Sequence, residues 1–273
     1  MSDPTRSSDA EAFDDADVAR CYRHRPPYAP SALAHVISLA TQRTRALDLG
    51  CGPGKIAIEL APHFEAVDAV DPSQPMLDVA RESEARNVRW ICSMTERARL
   101  EDHYDLVTAG TSIHWMDHTV VFPRLRKLLD GRGFVAVLNG DQPHTPPWAA
   151  EWDVFWRRWL PRMGRVYGLW SASQHERWID VAGRETFTAD VTRSVAELVE
   201  CEHSRATWTR TRMGSALAAE FDRELTALLD PHARDGLLHF QVQTRVVWGV
   251  PRSESSSHPS MRAPGRVRGS EIT

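Results

Sequence analysis

Between residues 44 and 140 the chain alternates short apolar runs with longer stretches in which apolar residues recur at helical spacing. The runs "TRALDLG", "EAVDAVDP", "NVRWICS", "YDLVTAG" and "GFVAVLNG" each end at a turn residue. Runs of that length, closed in that way, read as buried strands, and the segments Lys55 to Pro62, Gln74 to Arg86 and Val120 to Leu129 read as helices. Strand and helix in alternation is the βαβ rhythm, which predicts an α/β fold with a doubly wound, mostly parallel sheet covered by helices on both faces. Further on, "FTADVTRSVAELVECE", "SALAAEFDRELTALLD" and "LLHFQVQTRVVWGV" predict a strand, helices and a last strand ending at Pro251. The sheet then has seven strands.

After Asp141 the rhythm breaks. The stretch "TPPWAAEWDVFWRRWLPRMG" sets Trp148, Trp152, Phe155, Trp156 and Trp159 on one face of a helix. Such a stripe is either packed core or a lid that also walls a substrate pocket. The expected division is a disordered tail over 1–12 and a single domain over 13–251. Within that domain, 13–45 are cover helices, 46–141 the strand-rich core, 142–185 a helical cap insertion and 186–251 the closing strands and helices. Residues 252–273 form a second tail. Both tails are poor in large apolar residues, so they bury too little to offset the entropy of ordering.

Composition narrows the function. Of 273 residues, 42% are hydrophobic and 26% charged, enough for a full core, and the net charge of −4 argues against a nucleic-acid binder. The four cysteines Cys21, Cys51, Cys92 and Cys201 stand singly, with neither metal-ligand nor disulfide spacing. The start of the chain is polar and acidic, and no apolar run approaches a membrane span. A soluble cytoplasmic protein is expected, monomeric or homodimeric, with no metal, no nucleic acid and no membrane partner.

The densest chemical signal is "LDLGCGPG", residues 47–54. Glycines between a strand and a helix let a ligand approach the backbone N–H groups, and the helix start adds positive potential. A P-loop is excluded, because Ile56 follows Gly54-Lys55 and Leu49 stands at the first glycine's place. A dinucleotide GxGxxG also fits poorly: Gly50 and Gly52 match, but the next glycine is at 54 and Lys55 stands where it should be.

The run Asp48-x-Gly50-x-Gly52-x-Gly54 resembles the first motif of class I S-adenosylmethionine-dependent methyltransferases. "AVDPSQPMLDVAR" looks like the family's second-strand end, "AFDDADVARCYRHRPPYAP" like the YxxxRPxYP segment of one branch, and "SMTERARLEDHYDLVTAGTSIHWMD" like that branch's third and fourth strands. The branch includes trans-aconitate methyltransferases. This chain departs from it at Ser93 and Thr95, where Gly and Ala are usual, and in interposing Ala29. The resemblance spans roughly residues 13 to 141, and "SVAELVECEHSRATWTR" is similar to the late cap segment.

The resemblance implies a Rossmann-like methyltransferase fold that binds S-adenosyl-L-methionine and releases S-adenosyl-L-homocysteine. It implies that Asp48 and the backbone at Gly50 and Gly52 hold the aminocarboxypropyl arm, with Cys51 beside them. Asp71, next to Pro72, would take the ribose hydroxyls, since a carboxylate suits a vicinal diol. Met76 would lie on the adenine face, Met94 and Thr95 at its edge, and Tyr22 and Arg25 over the carboxylate end. Other readings stand beside these: Asp48 as a cap of the turn, Met76 as helix core, Arg25 as a surface cation. His114 is the candidate general base, or else a wall of the cofactor pocket. Trp115, Tyr28, His144 and Trp148 are the candidate acceptor residues. The expected function is methyl transfer to an oxygen or nitrogen of a small-molecule acceptor. A cofactor-binding protein without turnover is the alternative, and a nicotinamide-dependent oxidoreductase is disfavoured by the glycine spacing.

Overall fold

A computed structural model describes residues 8–129, 131–165 and 174–252. Strand β1 (Arg45–Leu49) lies at the centre, with Ala46, Leu47 and Leu49 fully buried, as expected of a strand covered on both faces. Strands β2 (Ala66–Asp71) and β4 (Leu106–Gly110) flank it in parallel. Beyond them lie β3 (Val88–Cys92) and β5 (Phe134–Asn139), also parallel. The long β8 (Leu237–Pro251) adds antiparallel to β5 and carries β7 (Ile179–Ser194) on its other edge. The order is therefore 3-2-1-4-5-8-7, the seven strands the sequence predicts. A two-residue β6 (Pro143–His144) continues the β5 edge along β8.

Chain order reverses at β1, between β2 and β4. In such sheets the crevice outside the carboxyl ends of these strands is the natural ligand site.

Helices α3 (Pro30–Ser38), α4 (Ala57–Leu60) and α5 (Gln74–Ala80) cover one face, and α6 (His118–Leu129) covers the other. Two helices are shorter than their spacing suggests. The helix expected over 55–62 runs as α4 and then a tighter turn, Ala61–His63, that contains Pro62. The one expected to reach Arg86 stops at Ala80, and Asn87 pins the return to β3 by donating to the carbonyls of Ala61 and Phe64, both at 2.9 Å.

The tryptophan stripe of α7 (Ala149–Trp159) is core. Trp148, Phe155 and Trp159 pack with Trp208 and with Phe221 of α10 (Ser215–Leu229), under α8 (Val195–His203) and α9 (Arg210–Met213). The cap expected over 142–185 includes residues 166–173, which lie outside the described residues. Its last part is already strand, since β7 begins at Ile179 and is polar along one edge, which hides it from a hydrophobicity pattern.

Order also begins earlier than the expected end of the N-terminal tail. Residues 8–11 form the single turn α1 (Ser8–Glu11), and the segment continues into α2 (Ala16–Tyr22). Asp9 of that turn pairs with Arg165 and Arg212. Residues 1–7 and 253–273 of the expected tails lie outside the described residues.

Candidate functional site

The loop after β1 passes three times through positive-φ backbone, at Gly50 (φ 61°), Gly52 (φ 53°) and Gly54 (φ 85°), and the first two glycines are required for different reasons. A Cβ at Gly50 would stand 2.5 Å from Cβ of Ser112, whose hydroxyl donates to the carbonyl of Leu49 at 2.6 Å. A Cβ at Gly52 would meet only Cζ of Tyr22, at 3.9 Å, and would otherwise point into open space. Gly50 serves the protein's own packing; Gly52 faces a cleft.

Asp71, at the end of β2, ties the neighbouring loop to this one. Its Oδ2 accepts the Gly52 N–H at 2.8 Å and its Oδ1 the Ser73 N–H at 2.8 Å. Ser73 in turn caps α5 by accepting from the Met76 N–H, and its hydroxyl donates to the carbonyl of Phe13 at 2.7 Å. The carboxylate is thus fixed in orientation at the mouth of the crevice before any ligand arrives.

These groups border a cleft of about 720 Å³, open mouth included. It is lined by Asp71, Pro72, Met76, Met94 and Thr95 together with Tyr22, Arg25, Gly50 and Gly52. Met76 fits both of its readings, since it lines the cleft and also packs against Val18 and Ala19 of α2. Arg25 is no surface cation. It is 6% exposed, stacks over the Tyr22 ring at 4.0 Å, and donates to Asp141 Oδ2 (2.8 Å), to Ser204 Oγ (2.7 Å) and to the Ser204 carbonyl (2.7 Å). Burial alone would raise the Asp141 carboxyl, but Arg25, Arg205 and Lys55 outweigh it and hold it at about 2.

Asp48 does not line this cleft. It lies one layer below, 1% exposed, where its Oδ2 accepts the Ala57 N–H at 3.2 Å and its Oδ1 the Thr108 hydroxyl at 2.8 Å. These two hydrogen bonds fit the alternative reading of Asp48 as a cap of the turn. A short acidic side chain at the end of a fully buried strand finds its nearest donors in the following helix and the adjacent strand. Burial pushes its carboxyl up to about 7 against those two hydrogen bonds. Cys51 is likewise buried beneath the loop and borders a small inner cavity with Asp48.

A second cavity adjoins the cleft, and the two share Thr111 and Trp115. His114, Asn139, Gln142, His144, Arg205 and Gln243 are on its polar wall. Trp115, 39% exposed, stands edge-on to Phe13 at 6.0 Å and lies against His114 at 4.6 Å, forming the partition. Burial, with His118 and His175 nearby, pushes the His114 imidazole down to about 4 against the pull of Asp141, so it is neutral at pH 7. His144 Nε2 accepts from Gln243 Nε2 at 3.2 Å.

Two candidate acceptor residues lie elsewhere. Trp148 is fully buried in the cap core, stacked near Trp152 and edge-on to Phe240, because its stripe faces α10 and not the cavity. Tyr28 is 5% exposed and lies under the partition, its hydroxyl 3.1 Å from Thr111 Oγ1. The sequence reading missed Ala10 and Phe13, which line the cleft from a segment taken partly as tail, and Thr111. It also missed Asp141, Ser204 and Arg205. Thr111 carried a signal, since it follows the fourth strand at the crevice. Arg205 and Ser204, by contrast, reach the site only through the tertiary fold.

Residues 46–133 match the model of a methyltransferase domain. The chain is 30% identical over 129 residues to an uncharacterized methyltransferase of Mycobacterium tuberculosis, covering 47% of this chain and 52% of that protein. It is 31% identical over 121 residues to a trans-aconitate 2-methyltransferase of Escherichia coli, covering 43% and 48%. The chain spans about half the length of the curated relatives it matches. Among solved structures, a candidate type II methyltransferase from Anaeromyxobacter dehalogenans superposes with a TM-score of 0.64 at 20% identity, covering 84% of this chain and 99% of that one. A candidate methyltransferase of an antibiotic biosynthesis pathway in Anabaena variabilis superposes with a TM-score of 0.51 at 16% identity, covering 83% and 99%. These two likenesses establish the fold.

Proposed function

We propose, from the match of residues 46–133 to a methyltransferase domain model and the fold shared with a solved methyltransferase structure, that the protein methylates an oxygen or nitrogen of a small polar molecule with S-adenosylmethionine as donor. The observation that carries this reading is the meeting of two cavities at Thr111 and Trp115: one is a cleft with a bare glycine backbone and a fixed carboxylate, the other a polar chamber with two histidines.

The cleft residues suit S-adenosylmethionine. Gly52 leaves its Cβ position empty beside Asp71, whose carboxylate is oriented for a diol, and Met76, Met94 and Pro72 offer an apolar slot for a flat heterocycle. Arg25 and Tyr22 also line the cleft, and on this reading they lie by the cofactor's own carboxylate. When bound, S-adenosylmethionine supplies an electrophilic methyl carbon and leaves as S-adenosylhomocysteine.

The chain's part is alignment and exclusion of water, because displacement at that carbon needs the acceptor atom held directly behind it. Trp115 and Thr111 frame the passage between the chambers. The polar wall around His144, Gln243 and Asn139 favours a hydrogen-bonding acceptor. His114, neutral at pH 7, takes the proton released by a hydroxyl or amine at the partition. Its relative is named for trans-aconitate, an acceptor that a polar chamber of this kind would also admit.

The test is incubation with methyl-deuterated S-adenosylmethionine and a pool of small metabolites, read by mass spectrometry. A labelled product formed in step with S-adenosylhomocysteine is expected. Absence of both, with the cofactor shown to bind, leaves a binding protein without turnover.

A further inference from the structure

Strand β7 is 16 residues long, about three times an ordinary strand, and it ends the sheet. One of its edges pairs with β8, and among the described residues no backbone pairs with the other. An edge of that length presents a row of N–H and C=O groups to any strand laid beside it. After an irregularity between Val181 and Gly183, the run from Gly183 to Ser194 keeps an unbroken register with β8. Its two faces differ, as alternation requires. Phe187 and Ala189 pack against the core and Val191 is buried, whereas Arg184, Thr186, Thr188 and Asp190 are exposed on the opposite face.

The charges on that exposed face are unbalanced in two places. Glu176 is shared by two guanidinium groups, accepting from Arg184 at 3.0 and 2.5 Å and from Arg245 at 2.9 Å, which leaves one positive charge in excess. Further along β7 the sign reverses. The Asp190 carboxylate accepts from the neutral amide of Gln241, at 3.0 Å, and among the described residues it pairs with no cation.

Two antiparallel copies of β7 meeting at a twofold axis on Phe187 match these charges. Arg184 of each copy then stands opposite Asp190 of the other, Thr186 opposite Thr188, and Phe187 opposite itself. Opposite charges and paired threonines facing each other across strands are favourable, and like charges are not. An axis at Thr186 or Thr188 leaves both ions unmatched. One at Ala189 faces Glu185 with Arg193 but sets Asp190 against Thr188, and one at Asp190 sets that carboxylate against its own copy. We propose that the protein dimerises through β7, its partner a second copy of this chain, so that the two sheets continue as one. Such a twofold interface needs a patch complementary to itself. Each strand is already ordered by β8, so pairing does not have to offset the entropy of fixing a free segment. The dimer is independent of the methyltransferase reading, since β7 lends no residue to the cofactor cleft or the polar chamber.

The experiment is sedimentation velocity of the full chain over about a hundredfold range of concentration, with thermal melts alongside. The natural chain should form a species of twice the chain mass whose share grows with concentration. Arg184→Asp, or Asp190→Arg, sets like charges against each other at two places across the axis and should weaken the dimer by about tenfold or more. The double substitution Arg184→Asp, Asp190→Arg brings opposite charges together again at both places and should recover the association. If Arg184→Asp lowers the melting temperature through its loss from Glu176, Asp190→Arg carries the test of the contact by itself, because Asp190 meets only the Gln241 amide. A monomer at every concentration, or a dimer that neither charge reversal weakens, overturns the proposal. Loss of the dimer in both single variants without recovery in the double overturns the register centred on Phe187.

Discussion

Alanine at Gly52 and at Gly50 should separate a glycine kept for a ligand from one kept for the fold. Both positions have left-handed backbone, where a side chain costs about 1 to 2 kcal/mol. At Gly52 nothing else is added, since the new methyl meets only Tyr22 Cζ at 3.9 Å. In a domain of this size such a loss lowers the melting temperature by roughly 2 to 8 °C. At Gly50 the methyl also collides with Ser112 Cβ at 2.5 Å, and overpacking adds about 1 to 3 kcal/mol. Gly50→Ala should therefore melt clearly below Gly52→Ala, and Ser112→Gly in the same chain should recover part of the difference. Ligand affinity should rank the other way for the stability lost. The methyl at Gly52 intrudes on the space a bound cofactor would fill, a cost of about 1 to 3 kcal/mol, or roughly 5- to 150-fold in the Kd of S-adenosylhomocysteine. Thermal melts and calorimetric titration of both variants give the four numbers. If Gly52→Ala binds S-adenosylhomocysteine as the natural chain does, the idea that main chain and ligand meet there is refuted.

Three further outcomes follow from the buried charges. Asp141→Asn leaves Arg25 and Arg205 without their shared counterion and should destabilise by about 3 to 5 kcal/mol. Because the natural carboxyl is held at about 2 in the fold, the stability it contributes is present above its ordinary value of 3.8 and is lost as pH falls from there towards 2, a slope that melts of the variant between pH 5 and 2.5 should lack. Asp48 has the opposite sign: held at about 7, it keeps its proton in the fold where the unfolded chain has released it. Stability should then decline as pH rises from about 4 through 7, and Asp48→Asn, which can still accept the Ala57 N–H, should remove that decline and melt above the natural chain at pH 8. His114→Ala should slow turnover roughly a hundredfold or more while leaving the Kd of S-adenosylhomocysteine unchanged, and the acid limb of kcat in the natural enzyme should fall near 4 instead of near 6.5. A change in Kd alone makes His114 a wall of the pocket.

The central sheet was legible because its strands are buried on both faces and so appear as plain apolar runs between turn residues; β1, β2, β4 and β5 all read this way. The fold class followed from their alternation with helices. β7 was read short because its outer edge is polar, and α5 was read long because "ESEARN" has no strong breaker before Asn87. In the site, the glycine loop and Asp71 were visible as a motif, yet the motif does not say which glycine packs on Ser112 and which faces open space. Nor does it show that Asp48 is turned inward to cap α4. Trp148 misled, since one-sided helical spacing is the same for a core stripe and for a pocket wall. The Arg25–Asp141–Ser204 contacts join positions 25, 141 and 204 and have no local signature at all.

The account stands most directly on calorimetric titration of the full chain with S-adenosylhomocysteine and, separately, with NADH. One saturable site for S-adenosylhomocysteine is expected, weakened by about 1 to 3 kcal/mol in Asp71→Ala through loss of a charge-assisted hydrogen-bond partner, with no saturable NADH binding. NADH binding in the absence of any S-adenosylhomocysteine binding, or an affinity that Asp71→Ala leaves untouched, contradicts it.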